Sequence, residues 1–411
     1  MPSRPGVAAT YLRWTGARAA CHRGYWLVAS LYLVFDARLS PFQLVFLGTA
    51  QGVASLVSEV PAGVMADTIS RRWSLVVAHA LVGASMVATG LVTAFPALVA
   101  TQVLWGVGWT FASGADVAWV TDELDRPGRI AGVLAAGARV EQVGALAGMV
   151  GVGALAGITD RRTAMVVAGV AMGALGLYVA ARFAERRYTP TRARRWRRSA
   201  AILRRGAGLA RRDREILLVF TATFLVNGAA EAFGRLWPRR LVDLGVPADP
   251  DPNVWFTALG VATLVVGALA LRIVEARIDG PGAARRTYAA ACGAGVVGLV
   301  VLARAPDDAT GAAGVLLVGG VAMTVTRAVG TIWVNRRATG EVRATVHSFL
   351  AQTEYAGELS LGFCLGIVAQ ATTLTVALTA AGALIASACV LVLLSPADRP
   401  AAAHAAMTTA P

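Results

Sequence analysis

The chain has 411 residues, of which 56% are hydrophobic and only 15% are charged, whereas soluble domains carry about 25% charged residues. Its 38 basic residues are all arginine, and they exceed the 24 acidic residues by a net charge of +14. This balance fits either a nucleic-acid-binding face or a membrane protein whose arginines collect on one side. The mean hydropathy of +0.61 favours the membrane protein and argues against a nucleic-acid partner and an ordinary soluble globule.

Apolar stretches of about 20 residues, the length that crosses a bilayer, recur from one end of the chain to the other. They predict twelve helical spans, at residues 11–35, 42–66, 73–94, 97–120, 131–158, 163–182, 216–238, 254–275, 287–304, 311–334, 344–369 and 372–394. The first span leads into further apolar segments without a cleavage site, so it is not expected to be a cleaved signal. We therefore expect an all-α integral membrane protein of twelve transmembrane helices.

The arginines of the predicted loops lie mostly on one side. If the N-terminus is cytoplasmic, inside segments hold 27 arginines and outside loops hold six, and arginine accumulates on the cytoplasmic side of membrane proteins. Both termini are therefore predicted to be cytoplasmic.

A chain rich in Ala, Gly and Arg but without Lys is typical of a GC-rich bacterial genome, which indicates a bacterial inner membrane.

The arginines also mark a division of the chain into two halves. Residues 182–215 alone carry a net charge of +10, so most of the positive charge is a local topological signal. We predict a six-helix bundle at 1–182, an Arg-rich cytoplasmic loop at 183–215, a second six-helix bundle at 216–394 and a disordered cytoplasmic tail at 395–411.

Four residues of the first half recur in the second half at offsets of 213 or 214. The pairs are Trp119 and Trp333, Arg129 and Arg343, Glu141 and Glu354, and Gly144 and Gly357. Their near-constant offset indicates that the two halves are a structural repeat.

Polar and ionisable side chains within the spans are concentrated on a few helices. They are costly in hydrocarbon, so we expect them to face a bundle interior or a water-filled cavity. In span four, steps of three and four residues place Gln102, Trp109 and Asp116 on one helical face. The candidate substrate-cavity residues are Arg18, His22, Trp26, Gln102, Trp105, Trp109, Arg139, Asn227, Arg235 and Arg327.

Carboxylates inside the spans are candidates for proton coupling. Glu141 and Glu354 lie about 15 Å from the cytoplasmic ends of their spans at 1.5 Å per residue, which places them near the bilayer centre. Structural ion pairs with Arg139 or Arg327 explain these two residues equally well. The full set of candidates is Glu59, Asp116, Glu141, Glu231, Glu354 and Glu358.

The loop between spans two and three carries a short motif that consists of Gly63, Asp67, Arg71 and Arg72. It resembles the cytoplasmic G-x-x-x-D-x-x-x-R-R signature of the major facilitator superfamily, and its position in a six-plus-six chain strengthens the likeness. A glycine there permits close helix contact, the aspartate can accept hydrogen bonds at a helix N-terminus, and the arginines anchor the inner face. The four residues are expected to form a gating motif.

Further stretches resemble multidrug-efflux members of that superfamily, namely 113–116 at the end of span four and 333–337 before span eleven. The resemblance implies two six-helix bundles, a central cavity and alternating access, often driven by a proton gradient. It implies no cofactor and no enzymatic activity, and its expected partners are a small-molecule substrate, protons and the lipid bilayer, with a monomeric chain.

Three hypotheses of function remain open. The first is a proton-coupled exporter of small hydrophobic or drug-like molecules, which would stack on tryptophans of the cavity. The second is an importer or facilitator of a small metabolite, including an anionic one, which Arg18, Arg139 and Arg327 would hold. The third, a membrane enzyme or sensor, has little support, because His79 and Ser85 lie on different helical faces and the chain has no HExxH or P-loop motif.

Overall fold

A computed structural model describes residues 6–124, 127–189, 214–246, 251–280, 282–337 and 340–394. These residues form helices joined by short turns, and none of them lies in a strand. The expected all-α membrane fold is confirmed. Most of the predicted Arg-rich loop, from 190 to 213, and the predicted tail at 395–411 lie outside the described residues.

The first half of the chain contains seven helices within its described residues. Short turns connect most of them, and a single 3-10 turn, Pro127–Arg129, precedes α6. The helices are α1 (Val7–Phe35), α2 (Pro41–Thr68), α3 (Arg71–Leu91), α4 (Phe95–Ala112), α5 (Ala115–Glu123), α6 (Ile130–Ile158) and α7 (Arg161–Arg182).

The second half begins with α8 (Arg214–Asp243) and continues through two helices that contain π-helical turns. One π segment, Leu316–Met323, lies within the predicted tenth span, and the other, Glu358–Gly362, lies within the predicted eleventh span. The remaining bounds are α9 (Pro252–Glu275), α10 (Ala283–Arg304), α11 (Asp308–Val315), α12 (Thr324–Arg337), α13 (Gly340–Gly357), α14 (Phe363–Ala371) and α15 (Leu374–Leu394).

Each predicted span corresponds to a helix, or to consecutive helical segments, that begins and ends within a few residues of the predicted limits. By length and apolar composition alone, ten helices of the described residues are able to cross a membrane. The predicted first and eleventh spans fall outside that group. The first carries Arg13, Arg18 and Arg23, and the helical segments of the eleventh carry Arg343, Glu354 and Glu358, which lower the mean hydropathy of both.

Capping side chains explain where several helices start. Ser40 and Gln43 form a reciprocal capping box at the start of α2, which satisfies backbone N–H groups that have no partner within the helix. Ser70 caps α3 and Asp160 caps α7 in the same way, each by accepting a hydrogen bond from a backbone N–H three residues later.

The described chain divides into two compact units. One unit holds α1 to α7 and the start of α9 as far as Val261, and the other holds α8, the rest of α9 and α10 to α15. Within the first unit α1 packs on α6 and α3 on α7, and within the second α8 packs on α13 and α10 on α15. The same order of pairing in both units is what a duplicated six-helix unit produces.

The repeat-related glycines have equivalent contacts. A Cβ on Gly144 would collide with the backbone of Gly16 in α1, and a Cβ on Gly357 would collide with the backbone of Phe224 in α8. Each glycine therefore lets the fifth span of its unit approach the first helix of that unit closely, as small residues do in membrane helices.

The predicted fourth span is not one continuous helix. It is interrupted at Ser113 and Gly114, where Gly114 has a φ of +74°, a conformation that glycine adopts without steric cost. Asp116 consequently lies on the separate short helix α5. The expected continuous helix from Gln102 to Asp116 is therefore interrupted, and the periodicity could not reveal this break.

Candidate functional site

The motif between α2 and α3 is anchored to the end of α5. Arg71 forms an ion pair with Asp122, and its Nη1 also donates a hydrogen bond of 2.7 Å to the Ala118 carbonyl. The Arg72 guanidinium instead lies over the Trp73 ring, 5.4 Å from its centroid. Gly63 is buried in α2. Of the two motif arginines, Arg71 is therefore the one whose charge is compensated across helices.

The segment that follows α7, residues 183–189, is held against the same loop, and we call it the linker anchor. Glu185 accepts a hydrogen bond of 2.6 Å from the Ser70 hydroxyl and one of 2.8 Å from the Arg72 backbone N–H. Glu123, at the end of α5, accepts hydrogen bonds of 2.9 and 2.8 Å from the backbone N–H groups of Arg186 and Arg187. Two carboxylates thus fix both sides of the segment through charge-assisted hydrogen bonds.

Aromatic contacts complete the linker anchor. Phe183 stacks on Trp119 with ring centroids 3.9 Å apart, and the Trp119 indole donates a hydrogen bond of 3.1 Å to the Ala184 carbonyl. The Tyr188 hydroxyl donates to the Ala66 carbonyl at 3.2 Å. Burial, followed by the nearby Glu185 charge, raises the pKa of Tyr188, so this hydroxyl keeps its proton as a donor.

The sequence identified the motif but not the two glutamates that hold the linker anchor in place, one within it and one at the end of α5. Glu123 and Glu185 lie near the ends of predicted spans, where acidic residues are common, and neither follows a repeated spacing. Only their contacts distinguish them from ordinary loop carboxylates.

A second cluster in the first unit centres on Arg18. Its guanidinium lies 3.8 Å from the Asp116 carboxylate and over the rings of Trp14 and Trp109, at 4.6 and 5.7 Å from the centroids. Both charged side chains are largely shielded, with 20% and 13% of their side chains exposed. Arg18 and Asp116, predicted for different roles, are therefore neighbours whose charges compensate one another.

His22 connects this cluster to further tryptophans. Its ring stacks on Trp109 with centroids 5.0 Å apart, and it accepts a hydrogen bond of 3.2 Å from the Trp26 indole. Trp26 and Trp109 are half-buried. The Arg18 cluster, as we call it, is the connected charged and aromatic group of Arg18, His22, Trp26, Trp109 and Asp116.

Two predicted cavity residues lie inside the packing of this unit. Trp105 is 1% exposed and stacks on Tyr25, with centroids 5.3 Å apart. Gln102 is also 1% exposed, and its amide lies 3.5 Å from the Thr89 hydroxyl. Both residues are therefore packed inside the unit, and Trp105 also contacts the Trp26 ring of the Arg18 cluster, with centroids 5.1 Å apart.

The second unit contains a small polar cavity of about 40 Å³, large enough for one or two water molecules. It lies among α8, α10, α12 and α13, and the Asn227 amide on its wall donates a hydrogen bond of 2.9 Å to the Thr223 carbonyl. The polar residues that line it are Thr223, Asn227, Tyr288, Thr326, Arg327, Thr331 and Glu354.

Two further carboxylates lie near this cavity. Glu231 forms an ion pair of 2.9 Å with Arg235 on the next turn of α8. Its side chain packs against Gly362, so closely that a Cβ added to this glycine would lie only 3.0 Å from it. Glu358 begins the adjacent π segment, one helical turn beyond Glu354, and the same segment ends at Gly362, against which Glu231 packs. The second unit thus brings together three predicted carboxylates and two predicted arginines, and π-helical turns are frequent at functional sites.

The remaining candidates do not join these clusters. Arg139 and Glu141 are exposed on α6, and Glu59 is exposed on α2. Among the described residues, no group of three or more His, Cys, Asp or Glu side chains is placed to hold a metal ion.

The family model of the Major Facilitator Superfamily matches residues 15–360 of the chain. Among solved structures, a crystal structure of the nucleoside transporter NupG superimposes with a TM-score of 0.76 over 99% of this chain and 100% of that chain, at 12% identity. No protein of established annotation matches the sequence significantly.

Two other transporters have the same fold. A POT family transporter in complex with a thioalcohol conjugated peptide has a TM-score of 0.72, covers 94% of this chain and 95% of its own, and is 12% identical. A D-xylose-proton symporter has a TM-score of 0.69, covers 94% and 97%, and is 14% identical. At such identities the likeness establishes the architecture alone.

Proposed function

Because the chain belongs to the Major Facilitator Superfamily, and is thus a multi-pass secondary transporter, we propose that it couples proton movement to the export of a small organic molecule. The proposal places it in a bacterial inner membrane as a monomer, with both termini in the cytoplasm. It requires no cofactor, because the proton gradient supplies the energy and no covalent step is involved.

One observation carries the proton coupling, namely the group formed by Glu231, Glu354 and Glu358 with Arg235 and Arg327 in the second unit. A carboxylate within a membrane is costly when charged, and a nearby arginine offsets that cost. Protonation removes the carboxylate charge, whereas arginine stays protonated. Proton binding therefore changes the charge balance of the group, which is what a coupled conformational change requires.

The Arg18 cluster supports an organic substrate. Trp26 and Trp109 are half-buried and offer aromatic faces, and such faces bind flat apolar groups and cations. Asp116 is compensated by Arg18, so the cluster carries no large net charge. This combination favours fairly hydrophobic molecules, with Asp116 as a further proton-coupling candidate.

The polar cavity favours a second candidate function, import or facilitated passage of a small anionic metabolite. Arg327 and Asn227 line that cavity together with Tyr288, and a guanidinium with neutral hydrogen-bond donors suits a carboxylate or phosphate group. Because the cavity has room for only one or two water molecules, this function requires it to widen during the transport cycle. Under this alternative Arg327 would bind the substrate, and the charge of the nearby carboxylates Glu231, Glu354 and Glu358 would control when the substrate is released.

Transport into inverted membrane vesicles distinguishes the two functions. A panel of hydrophobic drugs and anionic metabolites is supplied with and without an imposed proton gradient. Export predicts gradient-dependent accumulation of a drug-like member, and this accumulation should be lost in Glu354→Gln but kept in Glu275→Gln, an exposed carboxylate at the end of α9. Accumulation of anionic metabolites only in right-side-out vesicles would assign the import function instead.

A further inference from the structure

A groove of about 690 Å³ lies on the second unit. Its walls are α9, α10 and the junction between α12 and the π segment before it, where Val321 and Val325 line the groove. Along α9 its wall is formed by residues at helical steps of three and four, from Val266 through Leu269 and Ile273 to Arg277. Leu269 and Ile273 are each 54% exposed. In a chain that spans a bilayer, such exposed apolar side chains face hydrocarbon.

The groove is apolar along its length and basic at one end. Arg277 follows the last turn of α9, and Arg286 lies in the first turn of α10. Thr287 is the other polar residue of the lining, which includes no carboxylate. The partial positive charge of the α10 N-terminus adds to the same end of the groove.

The dimensions of the groove match half of a bilayer. Val266 lies nine residues before the end of α9 at Glu275, which corresponds to about 14 Å along the helix. Arg277 follows two residues later, and half of the hydrocarbon thickness is about 15 Å. The two arginines stand where α9 ends and α10 begins, at the level where a helix leaves hydrocarbon. Ala270, Ala290 and Ala291 keep the groove deep enough for a chain to enter.

We propose that this groove binds one anionic phospholipid, with an acyl chain along α9 and the headgroup phosphate held by Arg277 and Arg286. Arginine recognises phosphate through paired hydrogen bonds, and each basic side chain near a membrane surface adds to the attraction of acidic lipids. A zwitterionic lipid shares the acyl contacts but carries a compensating positive charge, so the site selects for net negative charge.

The test uses the full-length protein in nanodiscs that contain phosphatidylcholine and phosphatidylglycerol with identical acyl chains. Lipid retained after mild release into the gas phase is counted by native mass spectrometry. We expect a preference of about tenfold for phosphatidylglycerol, which falls to near equality in the double variant Arg277→Gln with Arg286→Gln. The matched control Arg272→Gln changes an exposed arginine of α9 outside the groove, and it should keep the preference.

The apolar part of the site is tested separately. Ala290→Phe fills the groove and should reduce retention of both lipids, whereas Val297→Phe, at a position that is 55% exposed on the same helix, should not. Inorganic phosphate in excess should leave the retained lipid in place, because it lacks the acyl chain.

Four results would overturn the proposal. One is equal retention of the two lipids by the unmodified protein, and another is an equal loss of preference in Arg272→Gln. The third is a dimer that weakens in Ala290→Phe without any change in lipid retention, which would assign the groove to a second copy of the chain. Displacement of the lipid by inorganic phosphate would reduce the site to a simple anion site and would likewise contradict it.

Discussion

Arg71 forms an ion pair with Asp122, which ties the loop between α2 and α3 to the end of α5. The same guanidinium donates to the Ala118 carbonyl, so one side chain satisfies both a charge and a backbone acceptor. This contact gives the signature motif a defined physical role within the first unit. It also explains why the neighbouring Arg72, whose side chain lies over Trp73, is not equivalent to Arg71.

We predict that Arg71→Gln and Asp122→Asn each lower the thermal stability and the transport rate, because each leaves a partly buried charge without its partner. The double variant should recover part of the loss, with a coupling free energy of about 1 kcal/mol in a double-mutant cycle. Thermal unfolding in detergent gives the stability values. Arg72→Gln is the matched control, and an equal loss in that variant would show that the motif acts only through net charge.

The linker anchor is expected to open when Glu185 is shortened. Glu185→Ala removes the acceptor for the Ser70 hydroxyl and the Arg72 backbone N–H. Hydrogen bonds to a charged group contribute about 1.5–3 kcal/mol each, so limited proteolysis within residues 183–189 should become at least about tenfold faster. Glu185→Gln keeps a hydrogen-bond acceptor, so its rate of cleavage should lie between those of the unmodified protein and Glu185→Ala. Equal cleavage of all three proteins would contradict this role.

Close packing between α1 and α6 makes Gly148 intolerant of a side chain. A Cβ at this position would overlap the backbone of Ala20, and backbone cannot move aside as a flexible side chain does. Gly148→Ala should lower the free energy of unfolding by about 2 kcal/mol. Gly151, one turn along α6, has no atom within 4 Å of such a Cβ, so Gly151→Ala should stabilise the helix by up to about 1 kcal/mol.

The cap of α7 should give a small pH dependence of stability. Hydrogen bonds from the Thr163 hydroxyl and backbone N–H lower the pKa of Asp160 below its ordinary value of 3.8. A lowered pKa in the folded state stabilises the protein above pH 4, and this contribution is lost as the pH falls through the folded-state pKa.

Asp160→Ala should therefore lower stability by about 1 kcal/mol at neutral pH, and the difference from the unmodified protein should shrink below pH 4. Asp160→Asn keeps a capping oxygen and should show no such titration. Unfolding temperatures measured from pH 3 to pH 7 provide the comparison, and a difference that grows on acidification would have the wrong sign.

The sequence predicted the helical architecture well because the bilayer imposes a simple rule on length and hydropathy. The span predicted at 131–158 corresponds to Ile130–Ile158, and that predicted at 254–275 corresponds to Pro252–Glu275. The break at Gly114 was missed because glycine is abundant throughout these helices and only its φ reveals the turn. The π segments were missed for a similar reason, since their composition resembles that of the flanking helix.

The candidate site was only partly accessible to sequence reasoning. Periodicity selected Gln102 and Trp105 as polar or aromatic residues on one helical face. It cannot tell whether such a face lines a water-filled cavity or is buried against α1 and α3. The pairing of Arg18 with Asp116 depends on the packing of α1 near α5, which no local pattern specifies. Individual residues were therefore predictable as unusual, whereas their partners were not.

The most direct test of the account measures proton-driven transport by the purified protein in liposomes with a pH-sensitive dye inside. We predict that the triple variant Glu231→Gln, Glu354→Gln and Glu358→Gln loses gradient-driven accumulation and the accompanying proton flux, yet still exchanges labelled for unlabelled substrate. The Glu275→Gln control should retain all three activities. Accumulation driven by a proton gradient that persists in the triple variant would contradict the assignment of proton coupling to the second unit.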